Sequence, residues 1–173
     1  MLFRSGIAMV SVSLLEKIDI FKELDDNQLE AIRDCCDELE FGRGDKLFTE
    51  DDDAVQIWII TEGNVDLRFE LPGKPPASKE QTVTSIKSDA GVAKILGWSC
   101  FVPPYKMRLS AFCVSRHCKV IRIEKKSLTE LFEKDTRMAY LVLKYLIQVV
   151  GYRFQQFQDV VATTMGENLM SGW

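Results

Sequence analysis

The segment ILGWSCFVPPYKMRLSA, residues 95–111, combines a Gly-Trp-Ser turn, a double proline, a single arginine and a run of small side chains. The guanidinium of Arg108 is a fixed fork of N–H donors that matches the oxygen atoms of phosphate and carboxylate groups. Its position after a proline-containing loop indicates one of two roles. Arg108 either receives an anionic ligand, or it forms a structural ion pair with an acid in 50–53 or with Glu124.

No other set of side chains predicts catalysis or metal binding. The five cysteines lack CxxC spacing, and His117 is the only histidine, whereas a cupin-type metal site needs two or three. Gly-x-Ser-x-Gly and Walker motifs are missing from the sequence. We therefore predict a protein that is not an enzyme and has no metal site. Packing in the core is the predicted role of Cys100, Cys113 and Cys118, with a haem or redox role left open.

The elements around these residues change from helical to strand periodicity early in the chain. Asp25 or Asp26 can cap a helix whose apolar residues recur every three to four positions, at Leu29, Ile32, Cys36 and Leu39. Six to eight short segments rich in β-branched and aromatic residues follow, and glycine turns at Gly44 and Gly63 separate some of them. Residues 71–80 are predicted to be a polar loop. Such a pattern is typical of a sandwich, jelly roll or barrel.

Residues 136–165 contain no proline and predict one long terminal helix after a short one. Its apolar residues form two seams, the first at Met138, Leu141, Tyr145, Val149 and Tyr152, and the second at Leu143, Leu146, Val150, Phe154, Phe157 and Val161. One domain face cannot cover both. We predict that one seam packs on the strands and the other on a second copy, giving a homodimer. A single helix buried on both sides is the alternative.

Composition restricts where such a protein works and what it binds. With 22 basic and 26 acidic residues the net charge is −4, which argues against a surface that attracts nucleic acid or anionic lipid. No stretch approaches the roughly 18 apolar residues of a transmembrane helix. The odd cysteine count favours a reducing cytoplasm. We expect a lead-in at 1–11, one domain at 12–165 that includes the terminal helix, and a tail at 166–173.

The order of these elements resembles the cyclic nucleotide-binding domain, and most closely the effector half of bacterial regulators of the catabolite activator and fumarate-nitrate regulator type. Three segments match features of the family in the same order. The entry helices are matched by LLEKIDIFKELDDNQLEAI, and the glycine-turn signature is matched by GDKLFTEDDDAVQIWIITEGNVDL. The phosphate-binding cassette is matched by ILGWSCFVPPYKMRLSAFCV. The resemblance implies a mainly β fold, a double-stranded β-helix or jelly-roll β-roll, followed by a long C-terminal helix. Asp51 stands where the family usually has a glycine.

The resemblance also implies which residues form a ligand site. Backbone amides at a short helix and an arginine cradle the cyclic phosphate, and a carboxylate accepts the ribose hydroxyl. Here Trp98 replaces that carboxylate, which removes the acceptor, although Ser99 offers a weaker one. The site residues implied are Gly97, Trp98, Ser99, Cys100, Arg108, Leu109 and Ser110 in the cassette, with Arg153 and Phe154 on the long helix near the lid.

We therefore expect a non-catalytic regulatory or sensor module with a degenerate cassette, which binds a ligand other than cyclic AMP or none. Two alternatives stay open. One is a scaffold used only for dimerisation and protein contact, and the other is a true cyclic-nucleotide or small-phosphate binder that uses substitute contacts. Because the sequence ends without the helix-turn-helix domain that follows in the regulators, we expect no direct DNA binding, an unidentified protein partner and no membrane contact.

Overall fold

A computed structural model describes residues 9–70 and 81–171, so the predicted loop at 71–80 and most of the lead-in lie outside the described residues. Within that part the regular elements are α1 (Val12–Leu15), α2 (Asp26–Arg33), β1 (Cys36–Gly42), β2 (Lys46–Phe48), β3 (Gln56–Glu62), β4 (Asn64–Arg68), β5 (Thr82–Lys87), β6 (Ile95–Leu96), β7 (Ser110–Cys113), β8 (His117–Glu124), α3 (Lys125–Lys134) and α4 (Thr136–Ser171). Short 3₁₀ helices cover Asp19–Phe21, Gly91–Lys94 and Trp98–Phe101.

The strands form two four-stranded antiparallel sheets, in the orders β1-β8-β3-β6 and β2-β7-β4-β5. Strand β3 is buried at four successive positions, Ile57 to Ile60, because both of its faces are covered. One continuous apolar core joins the two sheets and the helices. The predicted jelly-roll β-roll with a long C-terminal helix is confirmed.

The glycine turns are also confirmed, since Gly44 and Gly63 have φ angles of 91° and 85°. At Gly63 a Cβ atom would lie 2.4 Å from the carbonyl oxygen of His117, so no side chain fits there. Asp51, which stands where related turns have glycine, has a φ of 66°. The side chains of Asp51, Asp52 and Asp53 are exposed, and backbone hydrogen bonds hold the turn itself, because the Asp51 amide donates to the Met107 carbonyl and the Ala54 amide to the Tyr105 carbonyl.

The first long helix is shorter than the periodicity predicts. Residues Cys36 and Leu39 were expected on α2, but α2 ends at Arg33, and Leu39 pairs with Val120 in the ladder between β1 and β8. A pairing partner far along the chain therefore overrides the local helical spacing. The start of α2 is as predicted, with the Asp25 carboxylate accepting from the Gln28 amide in a capping box.

Helix α4 has a packed N-terminal part and a projecting C-terminal part. Of the two predicted seams the first is the one that is largely buried, with Met138 at 2% and Val149 at 0% exposure. Leu146, which the sequence placed in the second seam, belongs instead to the buried side at 5% exposure, because it lies four residues after Val142 and three before Val149, which are both buried. The helix continues to Ser171. No helix of the described residues has an apolar stretch long enough to cross a membrane.

The second sheet also carries a buried ion pair that the sequence analysis missed. The Asp66 carboxylate accepts hydrogen bonds from Arg68 at 2.7 Å and from the Ser85 hydroxyl at 2.6 Å. The Arg68 guanidinium lies 5.1 Å from the centre of the Phe112 ring, and Arg68 is only 4% exposed. Burial raises the pKa of Asp66, but the hydrogen bonds from Ser85 and Arg68 outweigh it, so the pKa lies below its usual value.

This pair gives a prediction about stability. Asp66→Asn removes the charged partner of a buried guanidinium, and we expect the free energy of unfolding to fall by about 2 to 3 kcal/mol. Because the pKa of Asp66 is lower in the folded state, its contribution is present above about pH 4 and is lost as the pH falls further. Urea unfolding from neutral to acidic pH measures both effects.

The matched control is Asp37→Asn. Asp37 makes an equivalent 2.7 Å pair with Arg122, but both side chains are about one-third exposed. A pair open to solvent contributes about 1 kcal/mol or less. Equal losses in the two variants would show that burial does not strengthen the Asp66 pair.

Candidate ligand-binding elbow

The predicted cassette starts with a turn whose geometry admits only glycine. Strand β6 pairs Leu96 with Trp58 of β3, and the chain then bends at Gly97 with a φ of 78°. A Cβ atom at Gly97 would lie 2.2 Å from the carbonyl oxygen of Gln56. Pairing with β3 therefore fixes the position of this turn, which we call the elbow (Gly97–Phe101).

The elbow continues as the 3₁₀ helix Trp98–Phe101, in which the Cys100 amide donates to the Gly97 carbonyl at 2.9 Å. Ser99 is 8% exposed and Cys100 is fully buried, whereas Trp98 is half-buried. Burial raises the pKa of the Cys100 thiol to about 12, so this sulfur is neutral at physiological pH. It is a packing residue rather than a thiolate nucleophile or ligand.

The proline loop that follows is held against the acidic turn. Lys106 pairs with Asp53 at 2.7 Å, and the two residues form an isolated antiparallel bridge. Tyr105 is 45% exposed, and the Lys125 ammonium lies 4.2 Å from the centre of its ring. Phe101 stacks on Phe132 with ring centres 6.2 Å apart, which attaches the end of the elbow to α3.

Arg108 is exposed instead of pointing into the roll. The sequence left open a structural ion pair with the acidic turn or with Glu124. Within the described residues Asp53 pairs with Lys106, Glu124 accepts a hydrogen bond from Gln56, and no ion pair or hydrogen bond reaches the Arg108 guanidinium. Residues Met107 and Leu109 on either side are buried and half-buried, so Arg108 alone of the three faces solvent.

Ser110, the small residue that follows, is completely buried and already hydrogen-bonded. Its hydroxyl donates to the Glu70 carboxylate and accepts from the Glu50 amide at 2.8 Å. Glu70 also pairs with Lys46, and hydrogen bonds from Lys46 and Ser110 lower the pKa of Glu70. A carboxylate with a lowered pKa therefore lies beside Ser110, one of the residues that the family resemblance places in the ligand site.

On the long helix the two predicted lid residues differ in exposure. Arg153 is half-buried, donates to the Gln156 side chain at 3.1 Å, and has a pKa that burial lowers. Phe154 is 59% exposed. Helix α4 packs against the elbow and against the 3₁₀ helix Gly91–Lys94. The elbow and α4 are thus in contact, whereas Arg108 is not linked to the elbow by any hydrogen bond of the described residues.

Comparison with known proteins identifies the fold but not a close relative. No family model and no curated protein matches the chain. A crystal structure from Geobacter metallireducens, of a protein described as cyclic nucleotide-binding, superposes with a TM-score of 0.68 at 25% identity, covering 84% of this chain and 99% of the other.

Two further solved structures share the architecture. A cyclic nucleotide-binding domain from Methylobacillus flagellatus has a TM-score of 0.68 at 19% identity, covering 88% of this chain and 81% of its own. The N-terminal domain of a transcriptional regulator from Streptomyces coelicolor has a TM-score of 0.59 at 22% identity, covering 84% and 95%. The two-sheet roll, the elbow and the long helix of this chain therefore have the fold of cyclic nucleotide-binding domains.

Proposed function

We propose that this protein is a non-catalytic regulatory module that pairs with a second copy through α4 and does not recognise cyclic nucleotides through its cassette. The fold is that of cyclic nucleotide-binding domains, and one of the structures that share it is the N-terminal domain of a transcriptional regulator. Helix α4 packs on the elbow, so a change in the elbow reaches the helix directly. The output of the module is then the position or pairing of α4.

The observation that supports pairing is an apolar stripe on α4 with alternating spacings of four and three residues. Its members are Leu143, Ile147, Val150, Phe154, Phe157 and Val161. Ile147 is 71% exposed, Phe154 59% and Phe157 63%, so the described residues of one copy leave this stripe largely in water. An average spacing of 3.5 residues is the pattern of helices that coil around each other.

A second copy is the occupant that this pattern favours. A stripe with a 3.5-residue repeat is complementary to an identical stripe on a parallel helix, so one surface serves both partners across a two-fold axis. Burying a large apolar side chain stabilises by about 1.5 to 3 kcal/mol relative to leaving it exposed. Burial of several such side chains from each copy gains more free energy than the two copies lose in translational and rotational freedom when they associate through a small interface.

Three features of the cassette argue against a bound cyclic nucleotide. Trp98 replaces the carboxylate that would accept the ribose hydroxyl. Ser110 already bonds Glu70, and a phosphate placed there would meet the negative charge of that carboxylate. Arg108 points to solvent. A ligand at this cassette would have to reorient Arg108 and break the Ser110 hydrogen bonds.

A second candidate function follows from the state of Arg108. Because no described residue neutralises its guanidinium, Arg108 is available to a small anion that approaches from solvent. Such a ligand would use Arg108 with the elbow and its flanks, namely Gly97, Trp98, Ser99, Cys100, Leu109 and Ser110, with Arg153 and Phe154 near the lid. Under this alternative the protein is a sensor for an anion that lacks a ribose.

Pairing through α4 is tested by placing charge on the stripe. In Ile147→Glu with Phe154→Glu, carboxylates would have to be buried in the apolar seam, so we expect dimerisation to weaken at least about 100-fold. Gln148→Glu with Gln155→Glu is the matched control, because these exposed residues have the same spacing one position along the helix. Sedimentation velocity should show monomers only for the first pair. A parent protein that is monomeric at every concentration would overturn the proposal.

Ligand recognition is tested by thermal denaturation with cyclic AMP, cyclic GMP, cyclic dinucleotides and inorganic phosphate. A genuine ligand at a hundredfold excess over its Kd stabilises the folded state by about 2.7 kcal/mol. We expect no change with cyclic AMP or cyclic GMP. Stabilisation by either nucleotide that Arg108→Gln abolishes and the exposed control Arg116→Gln retains would contradict the proposal. The same result with inorganic phosphate would support the anion sensor.

A further inference from the structure

Two cysteines lie together where the two sheets meet. Cys113 ends β7 in the second sheet and Cys118 is the second residue of β8 in the first, with the turn 114–116 between the two strands. Their Sγ atoms are 2.8 Å apart, and both residues are fully buried. No other hydrogen bond joins two cysteine sulfurs among the described residues.

The separation of the two sulfurs indicates what the pair can form. A disulfide bond is about 2.05 Å long. Two thiolates bound tetrahedrally to zinc, at about 2.3 Å each, lie about 3.8 Å apart. The observed 2.8 Å is too short to place a metal between the sulfurs, and no cluster of three metal-ligating side chains exists among the described residues. A direct bond is therefore the chemistry that this geometry favours.

Neighbouring groups hold the pair in place. The Cys118 thiol donates to the carbonyl of Asn64 at 3.0 Å, and the Ser115 hydroxyl lies 3.2 Å from the same sulfur. Ser115 also donates to the His117 carbonyl, which fixes the turn. Gly63 packs against this turn so closely that a Cβ atom would be 3.0 Å from the Cα of Cys118. The two sulfurs have to approach by less than about 1 Å to reach the length of a disulfide bond.

We propose that Cys113 and Cys118 are a modification site, at which a peroxide converts two thiols into a reversible disulfide that joins the two sheets. In the first step one sulfur attacks the peroxide, the O–O bond breaks, and a sulfenic acid and water form. The second sulfur then attacks the first, an S–S bond forms, and the S–O bond breaks to release a second water. Two thiols and one hydrogen peroxide thus give one disulfide and two waters.

Burial determines the conditions for this reaction. Desolvation, with the neighbouring Cys118 as the next cause, raises the pKa of Cys113 to about 12. The thiolate form of Cys113 is therefore a small fraction at neutral pH, and this fraction grows about tenfold per pH unit below that value. We expect oxidation to be slow at pH 7 and markedly faster at pH 9. This inference does not depend on α4 pairing or on ligand recognition.

The test treats the full chain with hydrogen peroxide, labels the remaining thiols with iodoacetamide in denaturant, and maps the peptides by mass spectrometry. We expect two labels to be lost together, a cross-linked peptide containing Cys113 and Cys118, recovery of both labels with dithiothreitol, and a higher thermal midpoint for the oxidised protein. Cys113→Ser and Cys118→Ser should each abolish the cross-link. If either variant fails to fold, peptide mapping of the oxidised parent protein still identifies which two cysteines are cross-linked.

Cys100→Ser is the matched control. Cys100 is equally buried, and burial raises its pKa to about 12 as well, but no hydrogen bond joins it to another cysteine within the described residues. This variant should form the cross-link as the parent does. The proposal is overturned if all cysteines keep their labels at both pH values, or if the lost labels map to Cys35 and Cys36 instead.

Discussion

The antiparallel ladder between β3 and β8 is the interaction on which the other features depend. It pairs residues from Gln56 to Glu62 with residues from Lys119 to Glu124, at the centre of the first sheet. Strand β6 pairs with the other edge of β3, which places the elbow. The end of β8 leads into α3, whose first amide donates to the Val55 carbonyl at 2.8 Å. The pairing of β3 with β8 therefore positions the elbow, the helices and the cysteine pair.

Most of the architecture could be predicted because its determinants are local. Strands form where short segments are rich in β-branched residues. Turns form at Gly44, at Gly63 and at Asp51 with its positive φ, and each of these features determines the structure of only a few neighbouring residues. The end of α2 and the assignment of Leu146 could not be predicted, because each depends on a partner from elsewhere in the fold. Nothing local marks the Asp66–Arg68 pair as buried either, since alternating polar residues usually face water.

The candidate site shows the same division between local and distant causes. Gly97 and the short helix after it follow from their own residues, and they fold as predicted. The direction of the Arg108 side chain does not follow from its own residue type. Arg108 precedes the first residue of β7, so it lies outside the alternation of side chains between the two faces of that strand. The partners of Ser110 come from residues 40 to 60 positions earlier in the chain. Motif spacing specified the residue types but not the contacts that those residues make.

Under the proposed function, in which the cassette does not recognise cyclic nucleotides, the input must come from elsewhere, because a signal shifts an equilibrium only by its differential free energy for the two states. Strand β8 offers such a route. Cys118 lies near its start, and its last residue is followed at once by α3 and then α4. A covalent bond at Cys118 removes the thiol hydrogen that is donated to Asn64 and ties β8 to the second sheet. That bond would therefore act on the strand that leads into α3 and then into α4, the helix proposed to carry the output.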